Sequence, residues 1–312
     1  MCGIAGIWGR VDEDLVRDMM TRLAHRGPDA EGVYAGAAGV LGHRRLSIMD
    51  PTPAGNQPIY SADGSAAIVA NGEIYNFPML REDLAAEGRA FRTGNDSEAA
   101  LHLYERLGEA AAERLDGMFA FAVTDGRGLY IARDPVGIKP LYYADLGGTM
   151  MLGSELKAFV GVTKEVREFP PGTWYHSGRG FRKYGTLPRR RPDRELTAEE
   201  HARRIRGTLE RAVVKRLMSD VPVGAFLSGG LDSSVIAAIA RRHVSELHTF
   251  SVGIEGSRDL RAARLVSKHL DTIHHEYIIS PEEVAEKLPE VVYWLESYDQ
   301  DLVRSAIPCY FT

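Results

Sequence analysis

Apolar positions along this chain follow two different rhythms. In the first, short apolar runs are broken by Gly, Pro, Asn and Asp. Residues 3–8 read as a strand, and Asp12 to His25 follows with Leu15, Met19 and Leu23 at helical spacing. The segment from His25 to Asp29 is a loop by its Gly-Pro pair. Strands are expected at 39–48 and 66–74, on either side of a Pro/Gly/Asn-rich loop at 51–58. Helices follow at about 78–87, after a turn around Asn76, and at 97–107. Short apolar runs at GMFAFAVTD, LYIARD, LYYAD and TMMLGS come next, separated by turns such as Asp125-Gly126, which predicts antiparallel hairpins.

The second rhythm begins past a polar stretch from Arg182 to Leu196, where the domain boundary is placed. A helix over about 197–217 opens on Thr197 with Glu200 three residues on, the pattern of a capping box. Strand 222–227, helix 233–242, strand 247–253, helix 259–270, strand 273–279 and helix 281–296 then alternate, predicting a parallel, doubly wound sheet. The expected domains are therefore 2–190 and 197–312, each long enough to bury its own core.

Composition narrows this only modestly. With 44% hydrophobic and 26% charged residues the chain is ordinary for a soluble protein, and a net charge of −5 gives no reason to expect nucleic acid. The run Arg189-Arg190-Arg191 with Arg194 is bracketed by Pro188 and Pro192 and reads as a solvated linker. Two cysteines, Cys2 and Cys309, allow no disulfide framework and no Cys-x-x-Cys metal site. Their scarcity fits a reducing compartment, and neither a convincing signal peptide nor a membrane span is apparent, so a cytoplasmic protein is expected.

Cys2 is one of the two stretches with chemistry. Removal of Met1 would make it the terminal residue, with a thiol of reference pKa about 8.5 beside an α-amine of about 7.7–8.0 that serves as its base. Cys2 also reads as a small apolar residue packed at a strand start, and on the first four residues neither reading prevails. The other stretch is the strand Val223 to Leu227 running into Ser228-Gly229-Gly230-Leu231-Asp232-Ser233-Ser234 and then a helix. Paired glycines let the backbone approach a ligand, the helix start presents free N–H groups to an anion, and Asp232 is a candidate magnesium ligand. Neither G-x-x-x-x-G-K-[ST] nor G-x-G-x-x-G occurs.

The SGGLDSS run resembles the signature of ATP pyrophosphatases, and with an N-terminal Cys-Gly-Ile the chain from residue 2 to about 308 resembles the glutamine-hydrolysing asparagine synthetases. That resemblance implies an α+β N-terminal αββα sandwich of the N-terminal-nucleophile glutaminase type, followed by an incomplete α/β parallel-sheet ATP-pyrophosphatase domain. By the same resemblance Cys2 is the nucleophile, Asn71 and Gly72 form the oxyanion hole, and Arg45, Ile48, Glu73 and Asp96 complete the glutamine pocket. Arg45 takes the α-carboxylate, Asp96 the ammonium, and His25 to Asp29 the substrate-covering loop. Leu227, Ser228, Gly229, Gly230, Leu231, Asp232, Ser233 and Val252 are the implied ATP contacts, with magnesium on Asp232, and Arg304 matches an acceptor-binding arginine. Taken singly, Arg45 reads as a surface cation, Asn71-Gly72 as a hairpin turn and Asp96 as a helix N-cap, a role compatible with ligand binding. His274-His275-Glu276 resembles metal chemistry, but adjacent strand residues face opposite sides, and packing is the better reading.

The implied function is a ligase that hydrolyses glutamine and passes the ammonia to an aspartate adenylated by ATP; a homodimer is compatible with it. The alternatives are another carboxylate acceptor, glutamine hydrolysis alone, and a regulatory nucleotide-binding protein. The family's second ATP motif, S-G-E-G-S/A-D-E, is absent, and Asp301-Leu302 stands where a threonine pair is common. A truncated product or partial sequence is therefore expected, with glutaminase but not synthetase activity.

Overall fold

The computed structural model describes residues 1–187 and 195–312; the arginine-rich linker read from the sequence lies outside the described residues. Contacts divide the chain into two compact units, Met1–Arg190 and Arg191–Thr312.

The first unit contains the strands β1 (Gly3–Trp8), β2 (Ala30–Ala35), β3 (Gly39–Arg45), β4 (Ile59–Tyr60), β5 (Ala67–Ile74) and β6 (Gly117–Thr124). They continue as β7 (Leu129–Arg133), β8 (Tyr142–Asp145), β9 (Met150–Gly153), β10 (Arg167–Glu168), β11 (Thr173–His176) and β12 (Gly180–Lys183). Two six-stranded sheets result, ordered β10-β8-β9-β1-β3-β2 and β12-β11-β7-β6-β5-β4. All strand pairs in both are antiparallel.

The run GIAGIW explains why β1 lies inside its sheet. Ile4 packs into a core shared with Val69, Ala120, Ile131 and Leu129 of the opposite sheet. Ala5 and Ile7 face the other way, against Val16, Met19, Met20 and Leu23. Both faces are covered, so β1 reads as an unbroken apolar run instead of an alternating one.

Helix α1 (Glu13–Arg22) supplies that outer cover, started by Asp12, whose carboxylate accepts from the Leu15 N–H. Burying Val16, Met19 and Met20 stabilises the layer by about 1.5–3 kcal/mol per side chain. Helices α2 (Phe77–Ala86) and α3 (Ser97–Leu107) belong with the second sheet, where α3 touches β5. The order of layers is thus helix, sheet, sheet, helix. Strands β2, β4, β10, β11 and β12 were not anticipated from the sequence. They are short or half exposed, so no long apolar run marks them.

In the second unit α4 (Ala198–Val214) carries the capping box, Thr197 Oγ1 accepting from the Glu200 N–H and Glu200 from the Thr197 N–H. Strands β13 (Gly224–Phe226), β14 (His248–Gly253) and β15 (Ile273–Ile278) pair in parallel in that order. Helices α5 (Leu231–Arg241) and α6 (Arg258–Leu270) are the crossovers, followed by α7 (Pro281–Leu295) and α8 (Gln300–Phe311). Leu227, Ala237, Leu247 and Ala263 form the buried centre. On β15, His274 and Glu276 share a face, with Nε2 to Oε1 at 3.3 Å. His275 turns the other way to meet His248, as period-two alternation requires.

Candidate active site

The inner end of β1 brings Cys2 to the mouth of a pocket lined by Arg45, Leu46, Ile48, Gln57, Gly72, Glu73, Asn95 and Asp96. Strands β3 and β5 and the turn before α3 contribute these residues from three separate parts of the chain. The Cys2 thiol accepts from the Leu46 N–H at 3.4 Å and donates to its carbonyl at 3.6 Å. Burial pushes this thiol up, while burial pulls the chain-terminal amine, here on Met1, down. Burial thus disfavours the charged form of both groups, the thiolate and the ammonium.

Asn71 sits inside β5, not in a hairpin turn, and is 1% exposed. In the amide orientation its neighbours require, its Nδ2 donates to the Cys2 carbonyl at 3.2 Å and its Oδ1 accepts from Arg26 Nη2 at 3.2 Å. Gly72 follows, and a Cβ there would lie 2.2 Å from the Met118 carbonyl oxygen, so no other residue fits without moving β6.

Arg45 is buried, contrary to the surface-cation reading. Its Nη1 donates to the Thr52 carbonyl at 2.9 Å and to Asn56 Oδ1 at 2.5 Å, and its Nη2 donates to the carbonyls of Met49, at 3.0 Å, and Asp50. The ends of the fork thus hold the loop that walls the pocket. Arg45 offers the site positive charge and its Nε more than a free two-pronged grip.

Asp96 stands at the N-cap position of α3 as read, but its side chain makes no capping bond; its Oδ2 instead accepts from the Ile74 N–H at 2.5 Å. Glu73 lies beside it with Oε2 buried and lacking any hydrogen-bond partner among the described residues. Burial raises both carboxyls above their usual range, and the neighbouring Asp96 raises Glu73 further. Two neighbouring carboxyls lining one pocket would gain from a cation placed there.

Sequence reasoning missed the support behind Cys2. Arg26 Nε donates to the Cys2 carbonyl at 2.8 Å, and its Nη1 pairs with Glu155 at 2.6 Å. Glu155 also meets His25 Nε2 at 2.9 Å and Lys157 at 2.7 Å. His25 and Arg26 therefore brace the terminus from behind. The fixed Gly-Pro loop was legible, but its partner Glu155 comes from a distant segment with no motif around it.

In the second unit Leu227, Ser228 and Val252 line a cavity of about 230 Å³ with Phe250, Asp259 and Leu260. Helix α5 begins directly after Gly230 with no side-chain cap, leaving its N–H groups toward the loop. Ser228 Oγ and Ser233 Oγ lie 3.0 Å apart across it. Gly229 adopts a left-handed φ of +76°, and a Cβ there would stand 2.5 Å from Ala263 N. Leu231 and Asp232 open the helix itself; Arg304 is exposed on α8 and does not line the cavity. Among the described residues no group of three His, Cys, Asp or Glu side chains could hold a metal on its own.

The first unit has the two-sheet fold of a glutamine amidotransferase domain, and the second is a parallel α/β unit. The glutamine amidotransferase domain family matches residues 1–177, over half of the chain, and the protein belongs to that family. The asparagine synthase family matches residues 204–312. The chain is 40% identical to asparagine synthetase [glutamine-hydrolyzing] 2 of Arabidopsis thaliana over 328 residues, covering 99% of this chain and 56% of that protein. The asparagine synthetase [glutamine-hydrolyzing] of Zea mays matches at the same identity and coverage. The chain spans little more than half the length of these relatives. Among solved structures, the glutamine phosphoribosylpyrophosphate amidotransferase of B. subtilis, complexed with ADP and GMP, superposes with a TM-score of 0.53 at 20% identity. It covers 92% of this chain and 70% of that one, and shows the likeness of fold. No helix among the described residues is long and apolar enough to cross a membrane.

Proposed function

We propose that the first unit hydrolyses glutamine and that the second activates a carboxylate with ATP, so that the released ammonia forms a new amide. The observation that carries the first half is one pocket lined by the Cys2 thiol, Gly72 and the carboxyls of Glu73 and Asp96, with the Asn71 amide bonded to the Cys2 carbonyl beside it. With Met1 removed, the Cys2 sulfur attacks the side-chain amide carbon of glutamine, and the thiol proton passes through the α-amine to the leaving nitrogen, which departs as ammonia. The Asn71 amide and the Gly72 N–H meet the oxyanion. Water then opens the thioester, giving glutamate and restoring the thiol. Glu73 and Asp96 receive the substrate ammonium, and the charge of Arg45 favours its carboxylate.

For the second half, the loop 228–233 at the start of α5 receives the phosphates of ATP, supported by its uncapped N–H groups and two hydroxyls. Asp232 fits magnesium as one carboxylate ligand among phosphate oxygens and waters, the usual manner for that ion. Aspartate is the proposed acceptor on the strength of the relatives' names. The scarcity of cysteine supports a cytoplasmic setting. Purified chain supplied with glutamine alone should release glutamate, and Cys2→Ala should release none. Equal glutamate release from both would overturn the assignment. Protection of the 228–233 loop from proteolysis by ATP and magnesium tests the second half, and unchanged cleavage would remove ATP from that loop.

A further inference from the structure

One buried cation beside the nucleophile has no place in that scheme. Lys139 is 6% exposed and lies at the end of the turn between β7 and β8. Its backbone is fixed from both ends. Asp134 Oδ1 accepts from the N–H groups of Val136, Gly137 and Ile138 at 3.1, 2.7 and 3.0 Å, and Oδ2 accepts from Lys139 N–H at 3.1 Å. The Lys139 carbonyl accepts from Arg133 Nε at 2.8 Å. A turn locked in this way aims one side chain, and the Lys139 Nζ ends 3.5 Å from the sulfur of Met1, directly over the chain terminus. A thioether is a weak acceptor, so the ammonium is nearly unsatisfied where it stands.

Its charged and titratable surroundings are few. Burial pulls Lys139 below the usual lysine range, Glu73 of β5 pulls it back up, and Arg26, Cys2, Asp134 of its own turn and the chain-terminal amine also act with it. Asp134 is committed to backbone N–H groups, and Arg26 is paired with Glu155. Glu73 is left, with its own orphaned Oε2. An under-satisfied ammonium near Met1 and an under-satisfied carboxyl in the Cys2 pocket thus come from two different elements, and loss of Met1 removes the side-chain hydrogen bond the lysine makes among the described residues.

We propose that Lys139 is a positioning residue for the glutaminase reaction: its ammonium, held by a locked turn against Met1, stands beside the processed terminus as the cationic counterpart of Glu73 in the Cys2 pocket. This rests on the glutamine-hydrolysing reading above. A cation there opposes protonation of the amine and favours the thiolate that develops as Cys2 reacts, and both effects lower the pH at which the nucleophile becomes active.

The test compares the wild-type chain with Lys139→Met, which keeps length and removes charge, and Lys139→Arg, which keeps charge. Two readouts are followed against pH: kcat/KM for glutamine, and alkylation of Cys2 by iodoacetamide, resolved from Cys309 by peptide mass mapping. In Lys139→Met the acidic limb of both profiles should move up by about one pH unit, a roughly tenfold loss below the limb that disappears above it. Lys139→Arg should follow the wild type. Profiles of Lys139→Met that superimpose on the wild type, or a loss equal at every pH, would overturn the proposal. A wild-type chain that releases no glutamate would instead overturn the functional reading, and the alkylation limb would still decide the role of Lys139. Should Lys139→Met fail to fold, Glu73→Gln carries the test. It leaves the ammonium unbalanced, so the alkylation limb should move to lower pH, and an unmoved limb would refute the balance.

Discussion

Replacing Asp96 by asparagine should weaken glutamine binding and at the same time leave the fold as stable as before or more so. Asp96 is buried, and its Oδ2 accepts from the Ile74 N–H, a bond that the asparagine carbonyl can keep. The substitution therefore removes a charge and little else. A charge-assisted hydrogen bond to the substrate ammonium is worth about 1.5–3 kcal/mol, which converts to a roughly ten- to hundredfold rise in KM for glutamine with a smaller change in kcat. The stability effect has the opposite sign. Both Asp96 and Glu73 are raised above their ordinary values, so the folded chain holds their protons more tightly than the unfolded chain does. Stability from these groups is full below the unfolded carboxylate pKa and is lost as pH rises through the raised folded values. Asp96→Asn deletes one such group and relieves Glu73 of its neighbour, so the variant should gain on the wild type as pH rises from about 4 to about 8. Thermal midpoints across that range, together with steady-state glutaminase assays, measure both effects. An unchanged KM would remove Asp96 from the pocket. A midpoint well below the wild type at neutral pH would show that its charge stabilises the fold and that the argument from burial is wrong.

Further expectations concern the other parts of the site. Intact mass should show an active protein beginning at Cys2, and full glutaminase activity with Met1 retained would exclude the free amine as base. Glutamine should bind more weakly as pH falls through the raised values of Glu73 and Asp96, because the ammonium competes with protons for the same two carboxyls; a KM flat over that range would contradict the pairing. Gly72→Ala should lose over about a hundredfold in kcat and lower the thermal midpoint, since its Cβ meets the Met118 carbonyl at 2.2 Å and displaces an oxyanion donor. Gly229→Ala, left-handed and 2.5 Å from Ala263 N, should abolish the thermal shift given by ATP and magnesium while leaving glutamate release intact.

Much of this protein was legible in the order of its residues. Cys2, Asn71-Gly72-Glu73, Asp96 and the 228–234 run carry local signatures because each must hold backbone and side chain in one short conformation. The capping box and the alternation of the second unit are likewise local, which is why Thr197 and Glu200 meet as read. Tertiary structure decided what lies between those segments. β1 takes its place between β3 and β9, pairing Ala5 with both Gly42 and Gly153, because two covered faces bury more apolar surface than an edge would. Arg45 turned inward to hold the pocket loop, and the Asp96 side chain, at the N-cap position, turned from the helix to meet the Ile74 N–H. Arg26 found Glu155 at a separation of 129 residues, and Lys139 reached the terminus across 138. Contacts of that kind leave no periodicity or spacing in the chain. They arise when buried charges, brought into one interior by the packing of two sheets, must find partners there or remain unsatisfied.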